Sequence, residues 1–248
     1  MELFFKSNFL FIELELHKFI FFEAGTVGSI RGEREKMDMT GNIETQKVVY
    51  VIDDDADTRD ALKSLFASVG LRAEAFGSAP EFLGEKLPDA AMCLVVDIRL
   101  PGLSGLDLQA ELSRANIDAP IIFITGHGDI AMTVKAMKAG AVEFLTKPFR
   151  DQDLLDAVKL GLEKDEAKRK SQTTTAGVRV LFESLTPREQ DVIRLVTAGL
   201  MNKQVAAEMG VSEITVKVHR GNAMRKMKAS SLADLVRMAD MLGIRHRG

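Results

Sequence analysis

Five short apolar segments alternate with segments of helical periodicity after Lys47, and this alternation restricts the fold more than any other feature of the chain. The predicted strands are Val48–Ile52, Arg72–Phe76, Met92–Val96, Ile121–Thr125 and Val142–Leu145. The predicted helices are Asp57–Val69, a short helix capped by Ser78, Gly105–Ala115, Asp129–Ala139 and Asp151–Leu162. Strands that are apolar on both faces and alternate with helices are typical of a parallel sheet covered on both sides. The sequence therefore predicts a doubly wound α/β domain with five parallel strands.

Polar residues that can carry chemistry follow four of these strands. In an open parallel sheet the functional site lies at the carboxyl ends of the strands, so residues there meet at one edge. The residues concerned are the acids Asp53, Asp54, Asp55 and Asp97, the hydroxyl-bearing Thr125, and Lys147. Crowded carboxylates favour a hard cation with oxygen ligands, and Mg²⁺ also favours phosphate oxygens. The pattern indicates a phosphoryl site, and the alternative is a set of solvated loop acids that cap helices.

The segment from Lys47 to about Glu163 resembles the receiver domain of bacterial two-component response regulators. The stretches ITGHGD (Ile124–Asp129) and AMKAGAVEFLTKPF (Ala136–Phe149) are similar to the FixJ type in particular. This resemblance implies the flavodoxin-like receiver fold.

The resemblance also implies a role for each residue at the strand ends. Asp97, in the segment DIRLPGLSG, matches the family's phosphoacceptor, and Asp53 and Asp54 match its acidic pair. The implied Mg²⁺ is held by Asp54, Asp97 and the backbone carbonyl of Arg99, with Asp53 acting through water. Leu100 stands where methionine is common in the family, and Asp55 is one acid more than the pattern needs.

Three further residues match the parts of the family that respond to phosphorylation. Thr125 matches the switch hydroxyl, Lys147 the invariant lysine, and Phe144 the aromatic residue whose inward turn accompanies activation. The Lys147–Pro148 peptide is implied to be cis. In FixJ-like receivers the face of the fourth helix and fifth strand dimerises, which here implies a dimer face of Ala131, Val134, Lys135, Lys138 and Val142.

The C-terminal part of the chain differs from the receiver-like part in charge. Lys47 to Glu163 holds 12 basic and 19 acidic residues, a net of −7, whereas Val178 to Gly248 holds 12 and 7, a net of +5. A basic module beside an acidic one suggests a nucleic-acid partner for the basic one. Thr186, Pro187 and Glu189 predict a helix start by a capping box and an N1 proline.

Two shorter helices follow, Asn202–Met209 and one capped by Ser212 that extends to about Met227, and Gly210 turns the chain between them. This is the helix-turn-helix pattern. On a helical wheel, Val216, Ala223, Met224 and Met227 form the apolar side of the second helix. The expected DNA contacts are Lys217, Val218, Gly221, Asn222 and Arg225, with Arg220 near the apolar side, where it pairs with an acid or extends along the DNA backbone. The alternative is a small helical bundle with a solvated basic face.

The segment from Leu185 to about Ala239 resembles the LuxR-type four-helix DNA-binding domain, again closest to FixJ. LTPREQDVIRLV, GLMNKQVAAEMGVSEITVKVHRGNAMRKM and SLADLVRMA carry this resemblance. Such domains bind DNA as dimers, and the final helix, with Leu232, Leu235, Val236 and Ala239, is the implied pairing element. The resemblance further implies RNA polymerase as a partner.

The length of 248 residues suggests two domains. We expect a receiver domain over residues 47–163, a polar linker over 164–180 and the DNA-binding domain over 181–248. Residues 1–46 are rich in phenylalanine but interrupted by charges, so we expect no membrane helix there. We expect these residues to add nothing to the fold, with Met37 or Met39 as the true start; the alternative is a membrane or partner anchor. The single cysteine, Cys93, lies in an apolar run and fits a cytoplasmic protein with an inert core thiol.

The sequence thus predicts a cytoplasmic response regulator that is not an enzyme. A sensor histidine kinase would phosphorylate Asp97, and phosphorylation would promote dimerisation and operator binding, with activation of transcription as the outcome favoured by family analogy. Two alternatives remain open. Asp53 and Asp55 mimic the DxD motif of haloacid-dehalogenase-like phosphatases, and a constitutive DNA binder could carry a vestigial receiver.

Overall fold

The computed structural model describes residues 47–115, 117–126 and 130–244, and these residues form five strands and nine α-helices. The strands are β1 (Val48–Ile52), β2 (Arg72–Phe76), β3 (Met92–Asp97), β4 (Ile121–Thr125) and β5 (Glu143–Thr146). The first helices are α1 (Ala56–Ser68), α2 (Ala79–Leu83), α3 (Gly105–Arg114), α4 (Ile130–Lys138) and α5 (Asp151–Glu183). The last helices are α6 (Pro187–Thr197), α7 (Asn202–Met209), α8 (Glu213–Lys226) and α9 (Leu232–Leu242).

The five strands form one parallel sheet in the order β2-β1-β3-β4-β5. Every residue of β1, β3 and β4 is buried, which explains why these strands are apolar on both faces. The strand order reverses between β1 and β3, and this switch point is where ligands bind in doubly wound sheets. The predicted α/β fold is confirmed.

Helices cover both faces of the sheet and create two separate cores. One core joins the sheet to α2, α3 and α4 through Phe82, Leu108, Leu112 and Ala136. The other joins it to α1 and α5 and contains Leu62, Phe66, Leu154, Val158, Leu162 and Cys93. Cys93 is buried, as predicted, and burial raises the pKa of its thiol to about 12.

Helix α5 is much longer than the sequence pattern predicts. The predicted end at Leu162 is wrong, because the helix continues without interruption to Glu183. Ion pairs extend its contact with the receiver part: Lys168 binds Asp118 at 2.6 Å, and Arg169 binds Asp89 at 2.8 Å. The buried carboxylate of Asp165 accepts a hydrogen bond from the Met92 backbone N–H at 2.9 Å. This N–H at the start of β3 therefore has a hydrogen-bond partner.

The far end of α5 belongs to the C-terminal helical domain. Val178 and Phe182 are buried with Ile193 of α6, Ala223 of α8 and Leu235 of α9 in a third core. The segment predicted as a linker is therefore helical, since it contains no proline and its ends are fixed by packing. The division into domains at residues 163 and 181 stays a prediction.

The C-terminal helices match the predicted boundaries closely. Thr186 and Glu189 form the expected capping box at α6, and Ser212 caps α8 by accepting the Thr215 N–H. Gly210 adopts the left-handed conformation between α7 and α8 with φ of 65°, which glycine tolerates without strain. The predicted apolar side of α8 is confirmed, because Val216, Ala223 and Met227 are buried.

The expectations for residues 1–46 lie outside the described residues. Within the described ranges, no helix combines the length and the hydrophobicity that a bilayer span requires.

Close packing of α5 on β3 generates a stability prediction. A Cβ atom at Gly161 would lie 2.6 Å from Cys93 Sγ, so Gly161→Ala should lower the free energy of unfolding by about 1–3 kcal/mol. Cys93→Ala removes the sulfur and should relieve this clash in the double variant. Urea unfolding of the wild type, the two single variants and the double variant, followed by circular dichroism, measures the coupling energy between positions 93 and 161. Strictly additive losses would contradict the contact.

Candidate functional site

Three carboxylates meet at the switch point between β1 and β3. Asp53 and Asp54 follow β1, and Asp97 is the last residue of β3. Each offers one oxygen, and these oxygens lie within 4.8 Å of one another. Asp53 and Asp97 are buried, whereas Asp54 is exposed. The cluster therefore has a closed inner side and one carboxylate that faces solvent.

Lys147, which follows β5, binds two of the three carboxylates. Its Nζ lies 2.7 Å from Asp53 Oδ2 and 2.9 Å from Asp97 Oδ2. The Lys147–Pro148 peptide is cis, as the resemblance implied. Asp53 and Asp97 lie 94 and 50 residues before Lys147 in the sequence, and the fold brings the three side chains together at the sheet edge.

Burial and charge act in opposite directions on these groups. Burial raises the pKa of Asp53, and this effect outweighs the hydrogen bond from Lys147, which lowers it. Partial burial alone would lower the pKa of Lys147, but the hydrogen bonds to Asp53 and Asp97 outweigh it and raise the pKa. One ammonium group therefore faces three carboxylates, and the site retains an excess of negative charge suited to a cation.

Backbone contacts hold the two loops that carry the acids. Arg59 Nη1 donates to the Asp53 carbonyl at 2.7 Å, and the Asp55 N–H donates to Asp53 Oδ1 at 2.9 Å. The Arg99 N–H donates to Asp97 Oδ1 at 2.9 Å. The role of Arg59 was not predicted, because the contact joins α1 to the loop before it and follows no sequence motif.

Thr125 and Phe144 lie in β4 and β5, the two strands nearest to Lys147. Thr125 is buried at the end of β4, and its carbonyl accepts the Lys147 N–H at 2.7 Å. Phe144 is half-buried, lies opposite Phe123 in β4 and packs against the core on the α4 face of the sheet. Thr125 is thus next to the acidic cluster along the sheet edge, whereas Phe144 lies three residues before Lys147 within β5.

An open depression borders the acidic cluster. Its volume is about 480 Å³, and its lining comprises Asp54, Ile98, Arg99, Leu100, Pro101, Ser104, Leu106 and Met132. Asp54 is the one member of the acidic cluster among these residues. The cluster is therefore reached from the side on which α3 and α4 begin.

Helix α8 separates an exposed polar side from its buried apolar side. Lys217, Val218, Gly221 and Arg225 are exposed, as expected for residues that contact DNA. Asn222 is half-buried, and its Oδ1 accepts a hydrogen bond from Arg225 at 2.5 Å. Arg220 Nη1 donates to Asn202 Oδ1 at 3.3 Å, so its partner in the protein is an amide at the start of α7 and not an acid.

An ion pair between an exposed lysine and a buried glutamate connects α8 to α6. Lys226 Nζ lies 2.7 Å from Glu189 Oε2, and the same carboxylate oxygen accepts the Thr186 N–H at 2.8 Å. The capping-box pattern predicted that Glu189 caps α6, but it did not predict the ion pair between Glu189 and a lysine of α8. This pair adds a polar contact to the apolar packing of α8.

Comparisons with known proteins match both parts of the chain. The signature of the response regulator receiver domain matches residues 49–159, and that of the bacterial regulatory proteins of the luxR family matches residues 183–239. Nodulation protein W of Bradyrhizobium diazoefficiens is 62% identical over 200 residues, covering 81% of this chain and 88% of that protein. The chain belongs to the response-regulator family.

Other response regulators show the same similarity. The structure of the response regulator StyR is 49% identical with a TM-score of 0.70, covering 79% of this chain and 98% of that one. The transcriptional regulatory protein FixJ of Bradyrhizobium diazoefficiens is 41% identical over 201 residues, covering 81% of this chain and 98% of that protein. The predicted combination of a receiver with a LuxR-type DNA-binding domain is confirmed.

The predicted dimer face of this response regulator is largely exposed. Ala131, Val134, Lys135 and Lys138 of α4 are exposed, whereas Val142 is half-buried and packs against the core that involves α1 and α5. Ile130 and Met137, which are not among the predicted residues, also expose apolar side chains on α4.

Close packing behind Asp97 provides a test of the acidic site. A Cβ atom at Gly105 would lie 2.5 Å from the Asp97 carbonyl oxygen, which cannot move without shifting the end of β3. We expect Gly105→Ala to lower the free energy of unfolding by about 1–3 kcal/mol. Gly77→Ala is the matched control, since the nearest atoms to a Cβ there are side-chain atoms at 3.6 Å. Equal stabilities of the two variants in urea unfolding would contradict this reading.

Proposed function

We propose that a sensor histidine kinase phosphorylates this response regulator on Asp97 and that phosphorylation promotes dimerisation and sequence-specific DNA binding, which activates transcription. The observation that carries the proposal is the position of Asp97: its carboxylate lies within 4.8 Å of two further acids and 2.9 Å from the Lys147 ammonium. A carboxylate held beside a cation is suited to accept a phosphoryl group, since the cation offsets charge on the phosphoryl oxygens.

In the proposed reaction, a carboxylate oxygen of Asp97 attacks the phosphorus of a phosphohistidine on the kinase. The phosphorus–oxygen bond to Asp97 forms as the phosphorus–nitrogen bond breaks, and the imidazole nitrogen keeps the electron pair of that bond. Lys147 stabilises the phosphoryl oxygens during transfer, and the Arg99 N–H keeps the attacking carboxylate of Asp97 in position. The open depression beside Asp54 gives the partner histidine access.

The acidic cluster fits Mg²⁺ because all its side-chain donors are oxygens and one of them faces solvent. Asp54, Asp97 and the carbonyl of Arg99 would hold the ion, with Asp53 acting through water. When bound, Mg²⁺ neutralises charge on the transferring phosphoryl group. Asp53 has a second task, which is to orient Lys147 through its 2.7 Å ion pair.

Phosphorylation would change the surface of the receiver through Thr125 and Phe144. The Thr125 hydroxyl would donate to the new phosphoryl oxygens, and the loop after β4 would follow. Phe144 would then turn into the vacated space, as in related receivers. Because Phe144 already packs against the core beside α4, its movement would alter the exposed α4 face made by Ala131, Val134, Lys135 and Lys138.

The proposed dimer would place two copies of α8 on one operator. Lys217, Arg220 and Arg225 would contact phosphates or guanine edges, Asn222 would contact adenine, Val218 a thymine methyl, and Gly221 would allow close approach. Helix α9 would serve as the pairing element of the DNA-binding domains through Leu232 and Val236, because Leu235 and Ala239 are buried within the domain. We place the protein in the cytoplasm, where the kinase, DNA and RNA polymerase are its partners, and assign it no enzymatic activity and no membrane association.

One contact bears on the phosphatase alternative. That reading requires Asp55 to act as an acid beside a nucleophilic Asp53. Asp55 instead caps α1, because its carboxylate accepts the Asp57 N–H at 3.0 Å and the Thr58 hydroxyl at 2.9 Å. These hydrogen bonds lower the pKa of Asp55 and favour the carboxylate over the protonated acid that the phosphatase alternative needs.

The exposed position of Asp54 allows a test of the metal site. Mg²⁺ at about tenfold its Kd should stabilise the wild type by about 1.4 kcal/mol and raise its Tm by a few degrees. Asp54→Asn should remove this shift without harming the fold, since the side chain is exposed. Asp60→Asn, an exposed acid on α1, is the control and should respond as the wild type does. Equal shifts in all three proteins would count against the assigned ligands.

The phosphoacceptor is tested by intact mass spectrometry after incubation with acetyl phosphate and Mg²⁺. We expect one phosphoryl adduct on the wild type and none on Asp97→Asn, because Asp97 is the proposed attacking group. Asp153→Asn, an exposed acid of α5, is the control and should carry the adduct.

Two further results would overturn the proposal in different ways. Turnover of para-nitrophenyl phosphate that depends on Asp53 would establish the phosphatase alternative. If the phosphorylated wild type and Asp97→Asn bind the same DNA with equal affinity, the protein is a constitutive DNA binder.

A further inference from the structure

Helix α8 exposes two large aliphatic side chains on its polar side. Ile214, in the first turn, is 74% exposed, and Val218 is 56% exposed. Residues four positions apart on a helix are neighbours on one face, so the two side chains form an apolar pair. Val216, Ala223 and Met227 fill the buried side of the same helix, so the fold does not require an apolar residue at position 214.

Basic residues surround this apolar pair. Lys217 and Arg225 are exposed on the same side of α8, and Gly221, one turn after Val218, has no atom within 4 Å of where a Cβ would be. The domain that presents this surface carries a net charge of +5 over residues 178–248. A positively charged rim favours an anionic occupant over an ordinary apolar protein surface.

The chemistry of DNA identifies what such a pair can contact. In the major groove the C5 methyl of thymine is the apolar group on the base edges, and aliphatic side chains contact it. In helix-turn-helix domains the N-terminal residues of the second helix are those that reach base edges. Ile214 occupies that position, because α8 begins at Glu213 after the Ser212 cap.

We propose that Ile214 is a specificity-determining residue that contacts a thymine methyl group in the operator, beside the methyl contacted by Val218. This inference rests on the proposed sequence-specific DNA binding. Four helical residues span about 6 Å and successive base pairs lie about 3.4 Å apart, so the two thymines lie within about two base pairs of each other in each half-site.

The test begins with selection of duplexes from a random pool by the full-length protein treated with acetyl phosphate. Each thymine of the selected duplex is then replaced singly by deoxyuridine, which lacks only the methyl group. Dissociation constants are measured for the wild type, Ile214→Ala, Val218→Ala and Val180→Ala. Val180 is an aliphatic residue of α5 that is 67% exposed, so it serves as the matched control.

We expect deoxyuridine at one position to weaken wild-type binding about three- to fivefold, the value for one buried methyl group. Ile214→Ala should lose this discrimination at that position alone, and Val218→Ala should lose it at a second position within about two base pairs. Val180→Ala should discriminate as the wild type does. Circular dichroism confirms that the exposed substitutions leave the fold intact.

Two negative outcomes are distinguishable. If Ile214→Ala retains the wild-type discrimination at every thymine, the inference about Ile214 is wrong and the proposed DNA binding stands. If the wild type enriches no duplex from the pool, the proposed function fails and the inference fails with it.

Discussion

The ion pairs of Lys147 are the interaction on which the acidic site depends. Lys147 extends from β5, at one edge of the sheet, to Asp97 at the end of β3 and to Asp53 after β1. Without this cation, two buried carboxylates would lie together with only backbone N–H donors to stabilise them, an arrangement that costs several kcal/mol per unpaired ion. The lysine thus makes the cluster compatible with a folded sheet while leaving it short of positive charge.

Two other buried acids show why this cluster, and no other of the described acidic groups, is suited to chemistry. Asp165 accepts the Met92 N–H and pairs with Arg169 at 2.7 Å, and Glu189 accepts the Thr186 N–H and pairs with Lys226. Each of these carboxylates has its own cation, so its charge is balanced and its role is structural. At the switch point one lysine pairs with two of three carboxylates, and the remaining negative charge favours Mg²⁺.

Local patterns predicted much of this structure, whereas contacts between distant elements could not be predicted. Periodicity placed the strands, and the rule for parallel sheets brought Asp53, Asp97 and Lys147 to one edge. The predicted length of α5 was wrong. Residues 171–175 contain three successive threonines, which are weak helix formers, but packing at both ends of the helix overrides that preference. The Arg59 contact to Asp53 and the close approach of Gly105 to Asp97 depend on tertiary geometry and leave no pattern in the sequence.

The course of α5 bears on how a change at Asp97 reaches DNA. Its first turns are buried in the receiver core and its last turns in the core of the DNA-binding domain. Between Asp165 and Val178 none of its residues is buried, so along that stretch of the described helix no side-chain packing connects the two cores. Because this stretch is unpacked and contains weak helix formers, three threonines and Gly177, it is poorly suited to transmit a small movement of the receiver to the DNA-binding domain. In the proposed mechanism the exposed α4 face, which lies beside Phe144, would be a shorter route, because association of two receivers there would bring two copies of α8 together without any change along α5.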